Sequence, residues 1–72
     1  MDNSVKANII LHGGPSSLAL DERMRYVDNT VDKVKLLVGN RYEHFEPTSQ
    51  TEQRLGCDLR IYIWTGCTYV AE

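Results

Sequence analysis

A chain of 72 residues has room for one small domain, because a polypeptide this short hides only about 60% of the surface that its unfolded form exposes. Eight basic against ten acidic residues give a formal charge of −2, and Lys33 and Lys35 are the only close lysine pair. Nucleic acid is therefore not an expected partner, since a phosphate backbone is bound by clustered Lys and Arg. No apolar stretch approaches the ~20 residues of a membrane span, and the composition is not that of a disordered chain.

Val5 to Leu11 reads as a first strand: Val5, Ala7, Ile9 and Leu11 recur with a period of two and make one face apolar. Gly13-Gly14-Pro15 ends it, the glycines permitting positive φ and the proline removing a donor. Ser16 or Ser17 can cap one or two helical turns through Leu18, Ala19 and Leu20. Met24 to Val27 is a candidate second strand, closed by the turn-forming run Asp28-Asn29-Thr30.

The middle of the chain carries a sharper signal. Val34 to Val38 and Tyr42 to Glu46 flank Gly39-Asn40, a two-residue link suited to a tight hairpin. Counting outward pairs Val38 with Arg41, Leu37 with Tyr42, Leu36 with Glu43, Lys35 with His44, Val34 with Phe45 and Lys33 with Glu46. The last is an expected cross-strand ion pair, worth about 0.2–1 kcal/mol on a solvated sheet. Pro47 to Leu55 lacks periodicity and reads as an exposed loop.

Leu59, Ile61 and Ile63 interleave with Arg60, Tyr62 and Trp64 in the strongest strand signal. Thr65-Gly66 then reads as a turn into Cys67 to Ala71, which predicts a C-terminal hairpin with Trp64 opposite Cys67 and Tyr62 opposite Tyr69. One face would carry Leu59, Ile61, Ile63, Thr68 and Val70, and the other Tyr62, Trp64, Cys67 and Tyr69. The expected fold is mainly β: a single domain over residues 1–72, an antiparallel sheet or barrel-like roll of five to six short strands, with one short helix near residues 16–22.

Two apolar faces on one hairpin need cover. Either the sheet curls so that a loop or strand covers the second face, or Tyr62, Trp64 and Tyr69 form an interaction surface, since Tyr and Trp are favoured at interface hot spots. Tyr42 and His44 join the candidate binding residues. His44 is also the one candidate acid–base group, with Glu43 or Tyr42 beside it, although a lone His without a convergent pocket is more often a sheet residue. His12-Gly13-Gly14 resembles an esterase oxyanion loop, but no nucleophile elbow accompanies it, and a turn needing glycine explains the same residues.

Cys57 and Cys67, with an opening Met1-Asp2-Asn3-Ser4 that holds no apolar signal stretch, lead to the expectation of a cytoplasmic protein whose thiols stay reduced. The hairpin also places Cys57 out of reach of Cys67. His12, His44 and the cysteines lack metal-ligand spacing, so neither a metal nor a cofactor is expected. The expected staple for so small a core is association with a partner chain or a second copy.

The segments Ile9-Ile10-Leu11-His12-Gly13-Gly14-Pro15, Gly39-Asn40-Arg41-Tyr42-Glu43-His44-Phe45, Ile63-Trp64 and Tyr69-Val70-Ala71-Glu72 resemble a small bacterial family of unknown function. That family is met mostly in actinomycetes and is often encoded among natural-product biosynthesis genes. Its pattern usually has a basic residue where Tyr69 stands here, and it brings no activity or site to carry over. The resemblance implies an accessory protein of an antibiotic or similar pathway, working with a larger biosynthetic enzyme or as a dimer. From the residues, the expected function is a non-catalytic binding module, with a small His44 enzyme and a homo-oligomeric structural protein as alternatives.

Overall fold

A computed structural model describes residues 6–54 and 56–70. Val5 and the chain opening before it, Leu55 and the final Ala71-Glu72 lie outside the described residues. The elements in chain order are β1 (Ile9–His12), α1 (Leu20–Arg23), β2 (Met24–Arg25), β3 (Val34–Val38), β4 (Arg41–Arg54) and β5 (Cys57–Tyr69). They form one five-stranded sheet in the order β2-β1-β5-β4-β3. The chain is mainly β with one short helix, as expected, and the sheet is mixed: β1 runs parallel to β5, and every other neighbour is antiparallel.

Ile9, Ile10 and Leu11 are all buried, so β1 is covered on both faces rather than one, as its three consecutive apolar residues require. Ile9 and Leu11 join Leu18, Phe45 and Tyr62 in the main core, with Val27, Val34, Leu36 and Val38 packed against it. Ile10 and Leu59 are buried outside that cluster, on the reverse face. Beyond β1 the Asn8 side chain extends the pairing with the β2 segment: its Nδ2 donates to the Val27 carbonyl at 2.8 Å and its Oδ1 accepts from the Val27 amide at 2.9 Å.

The helix begins later than the serines suggest. Its N-cap is Ala19, and the Glu22 carboxylate accepts the Ala19 amide at 3.0 Å, supplying the cap from within the helix. The second strand is also shorter than Met24 to Val27.

The β3–β4 hairpin has the register counted from Gly39-Asn40, from Val38 opposite Arg41 to Val34 opposite Phe45. Lys33 and Glu46 form the expected ion pair at 3.6 Å. Two expectations fail. Pro47 to Arg54 is not a loop but the second half of β4, and the chain continues through the proline because the register shifts between Pro47 and Thr51. That irregularity is stitched from both sides: the Thr48 hydroxyl donates to the Ile61 carbonyl at 2.7 Å, and Arg60 donates to the Thr48 carbonyl at 2.8 Å.

The C-terminal hairpin does not form. Residues Cys57–Tyr69 are one strand that pairs with β4 along its length, and Thr65-Gly66 is a bulge within it. The register steps from Phe45 opposite Trp64 to His44 opposite Gly66, leaving Thr65 as the extra residue. Trp64 therefore lies opposite Phe45, not Cys67, and Tyr69 opposite Arg41, not Tyr62.

Candidate functional site

Alternation along β4 puts Arg41, Glu43 and Phe45 on one face, and their β5 partners Tyr69, Cys67 and Trp64 lie on that face beside them. The extra residue Thr65 reverses the alternation between Trp64 and Cys67. Tyr62, Trp64, Cys67 and Tyr69 thus share a face, as the mistaken hairpin also required. Exposure rises along the aromatic members of this row: Tyr62 is 0% exposed, Trp64 41% and Tyr69 68%. Tyr62 belongs to the core, with its hydroxyl donating to the Asp32 carbonyl at 2.9 Å, so it leaves the set of residues that a partner could touch. Burial pushes its phenol above the ordinary value of 10.0.

Glu43, read from the sequence only as a neighbour of His44, is a buried partner of Trp64. It is 1% exposed, opposite Leu36 of β3 and Cys67 of β5. The Trp64 indole N–H donates to its Oε1 at 2.7 Å. Its Oε2 lies 3.1 Å from Arg41 Nε but receives no aligned hydrogen bond among the described residues. Taking a carboxylate out of water costs several kcal/mol, so the indole and the guanidinium are what make the position tolerable. Arg41 is held above its ordinary pKa first by the Tyr69 hydroxyl and next by the Glu43 carboxylate. The signal was present in the predicted hairpin, which already put a carboxylate on the same face as Val34, Leu36 and Phe45.

The Trp64 ring is seated from the other side by the loop after β1. Gly13 and Gly14 take φ of 85° and 79°, in the left-handed region that favours glycine. A Cβ on Gly14 would come within 3.0 Å of Trp64 Cδ1 and 3.3 Å of Phe45 Cζ. The loop is in turn pinned by Arg23, whose guanidinium donates to the carbonyls of Gly13 at 2.7 Å, Pro15 at 2.8 Å, Leu11 at 3.1 Å and Leu18 at 3.3 Å. The Gly-Gly pair therefore serves close packing, and an arginine from α1 takes the place of a disulfide or metal in fixing the loop.

Tyr42 and His44 lie on the opposite face of β4 from Glu43, by the same alternation. This separates the five candidate binding residues into two groups and removes Glu43 as an acid–base partner for His44. His44 Nε2 is 2.8 Å from the Thr68 hydroxyl, and Lys35 Nζ lies 4.9 Å from the centre of the Tyr42 ring. His12 joins a small exposed cluster in which its Nε2 is 2.9 Å from Glu52 Oε1. The Arg54 guanidinium, and after it His12, hold Glu52 below the usual carboxylate range. Among the described residues no three His, Cys, Asp or Glu side chains come together as a metal site.

Cys57 and Cys67 are free and half-buried. They stand at opposite ends of β5, about 30 Å apart at the rise of a strand, so the expected absence of a bond between them holds for a different reason. Among the described residues no helix is long and apolar enough to cross a membrane.

A family model described as "Family of unknown function (DUF5988)" matches residues 3–72. No curated protein and no solved structure matches the chain.

Proposed function

The chain belongs to this family of unknown function, and we propose that it is a non-catalytic binding module that takes a partner protein on the face formed by Trp64, Tyr69 and Arg41. The observation that carries this reading is the state of Trp64. Its ring is partly open to solvent, yet its edge is fixed by Glu43 and its flank by Gly13 and Gly14. An aromatic side chain held in one orientation before binding loses little entropy on contact, which is what an interface anchor requires. Tyr69 and Arg41 extend the surface with a phenol and a charge. The one buried carboxylate beside it is engaged by Trp64 and Arg41, which favours a supporting role for Glu43 over a reactive one.

The partner we propose is a larger enzyme of bacterial natural-product biosynthesis, met in the cytoplasm. This follows the resemblance of the segments around Gly13-Gly14, Tyr42-Glu43-His44-Phe45 and Ile63-Trp64. Affinity capture from the native host with wild-type and Tyr69→Ser baits tests the reading, because an exposed tyrosine can be replaced without loss of fold. A biosynthetic enzyme retained by the wild type and lost from the variant is the expected result. Equal recovery on both baits, or a stable homodimer that hides Trp64, overturns it.

A further inference from the structure

A cleft of about 230 Å³ is lined by Lys6, Ala7, Met24, Arg54, Cys57 and Leu59. Neighbouring strands form its walls. Met24 of β2 lies opposite Ile10 of β1, and Leu59 shares with Ile10 the face turned away from the main core. Cys57 stands two residues before Leu59 on β5, and Arg54 lies opposite Cys57 on β4, so both belong to that face as well. Lys6 and Ala7, in the run into β1, form the remaining side.

The lining is apolar at its base and cationic at its rim. Leu59 is buried, and Ala7, Met24 and Cys57 are half-buried. Lys6 and Arg54 are exposed, and such side chains lay their methylene stems along an apolar surface while the charged ends stay in water. No acidic side chain belongs to the lining. On the same face of β4, Glu52 engages the Arg54 Nε and His12, and it keeps its negative charge. Asp58 points to the opposite face, by the alternation that separates it from Cys57 and Leu59. Among the described residues Lys6 takes part in no ion pair. Two cations against one carboxylate leave a single positive charge in excess, and the terminal nitrogens of Arg54 remain as donors.

These features define the occupant. A cation would be repelled at the rim, and a neutral apolar molecule would crowd the rim cations out of water without compensating them. A monoanion with an apolar tail satisfies both ends of the cleft. An apolar cavity of about 150 Å³ takes a benzene ring, so one of about 230 Å³ takes a chain of about six to eight carbons.

We propose that this cleft binds a small aliphatic carboxylate of about six to eight carbons. Its chain packs against Ala7, Met24 and Leu59, and its carboxylate lies between Lys6 and the terminal nitrogens of Arg54. The site is on the other face of the sheet from Trp64 and does not rest on the function proposed there.

The test is an NMR titration of the labelled protein with octanoate, below its micelle-forming concentration. Saturable amide shifts are expected at Ala7, Met24, Cys57 and Leu59. From butyrate through hexanoate to octanoate, binding should tighten about twofold to fourfold for each methylene added. Dodecanoate should bind no more tightly than octanoate, because the cleft is already full. Octylamine is expected to bind about tenfold more weakly or worse. Lys6→Glu, a change at an exposed residue, should weaken octanoate by a similar factor in a folded protein. Bound octanoate should also slow alkylation of Cys57 by iodoacetamide while sparing Cys67, at the far end of β5. Tyr69→Ser should bind octanoate as the wild type does, which keeps this result distinct from the capture experiment. Shifts centred on Trp64 and Tyr69, no saturation at millimolar octanoate, or equal binding of octylamine overturns the proposal. So does indifference to chain length, unchanged affinity in Lys6→Glu, or equal protection of both thiols.

Discussion

The indole N–H of Trp64 reaches Oε1 of Glu43 at 2.7 Å, tying a ring that is partly open to solvent to a carboxylate that is almost fully buried. The dependence is unequal. Without Trp64 the carboxylate oxygen has no donor, whereas without Glu43 the half-exposed indole can turn to water. Trp64→Phe is therefore expected to cost about 1–3 kcal/mol, and Glu43→Leu less. Thermal unfolding followed by circular dichroism should show the double variant well short of the sum of the two, and additive losses would contradict the coupling.

Gly14→Ala and Gly39→Ala separate backbone strain from contact. Both glycines have positive φ, at 79° and 65°, so each substitution costs about 1–2 kcal/mol in the left-handed region. Only at Gly14 does the new methyl meet a ring, 3.0 Å from Trp64 Cδ1, while nothing lies within 4 Å at Gly39. Since Trp64 is the chain's single tryptophan, its emission should shift to the red in Gly14→Ala and stay unchanged in Gly39→Ala.

Arg23→Lys keeps the charge and loses the fork that engages four carbonyls, one in β1 and three in the loop after it. A loss of about 1.5–3 kcal/mol is expected in urea unfolding, with faster amide exchange from Gly14 to Leu18. Unchanged exchange in that segment would show that the loop is held by its own turns.

Tyr62→Phe removes the bond to the Asp32 carbonyl and should cost about 0.5–1.5 kcal/mol at neutral pH. Burial raises the folded-state pKa of this phenol above 10.0, so the stability linked to its neutral form is complete below that pH. It is lost as pH rises through 10.0 toward the folded value. The phenylalanine variant has no such loss, so the gap between variant and wild type should narrow in melts taken above pH 10.0.

The β3–β4 hairpin could be read to the residue because Gly39-Asn40 fixes both the turn and the count outward from it. The aromatic row Tyr62, Trp64 and Tyr69 was also legible, because these residues share a face whether Thr65-Gly66 turns or bulges. A tight turn and a one-residue bulge at Thr65-Gly66 both return Cys67 and Tyr69 to the face of Trp64, and nothing in the dipeptide distinguishes them. What chooses the bulge is β4, whose first half pairs with Gly66 to Tyr69 while its second half, running on through Pro47, pairs with Cys57 to Tyr62. The seat of Trp64 was not legible at all. It depends on Glu43 and Gly14, which lie far from it in sequence: Glu43 meets it across the bulged β4–β5 pairing, and Gly14 only once β1 lies parallel to β5.

The placement of β5 has a consequence for how the chain reaches this structure. It is the central strand and also the last element, and Ile9 waits for Arg60 before its own ladder can close. Among the described residues the most local strand pairing is the β3–β4 hairpin, closed by its two-residue turn, while β1 has no parallel neighbour until β5, far along the chain, is present. Contacts of such long sequence separation slow folding. Acquisition of structure should therefore be a single late event, with the N-terminal strand recruited last and the Trp64 seat completed in the same step.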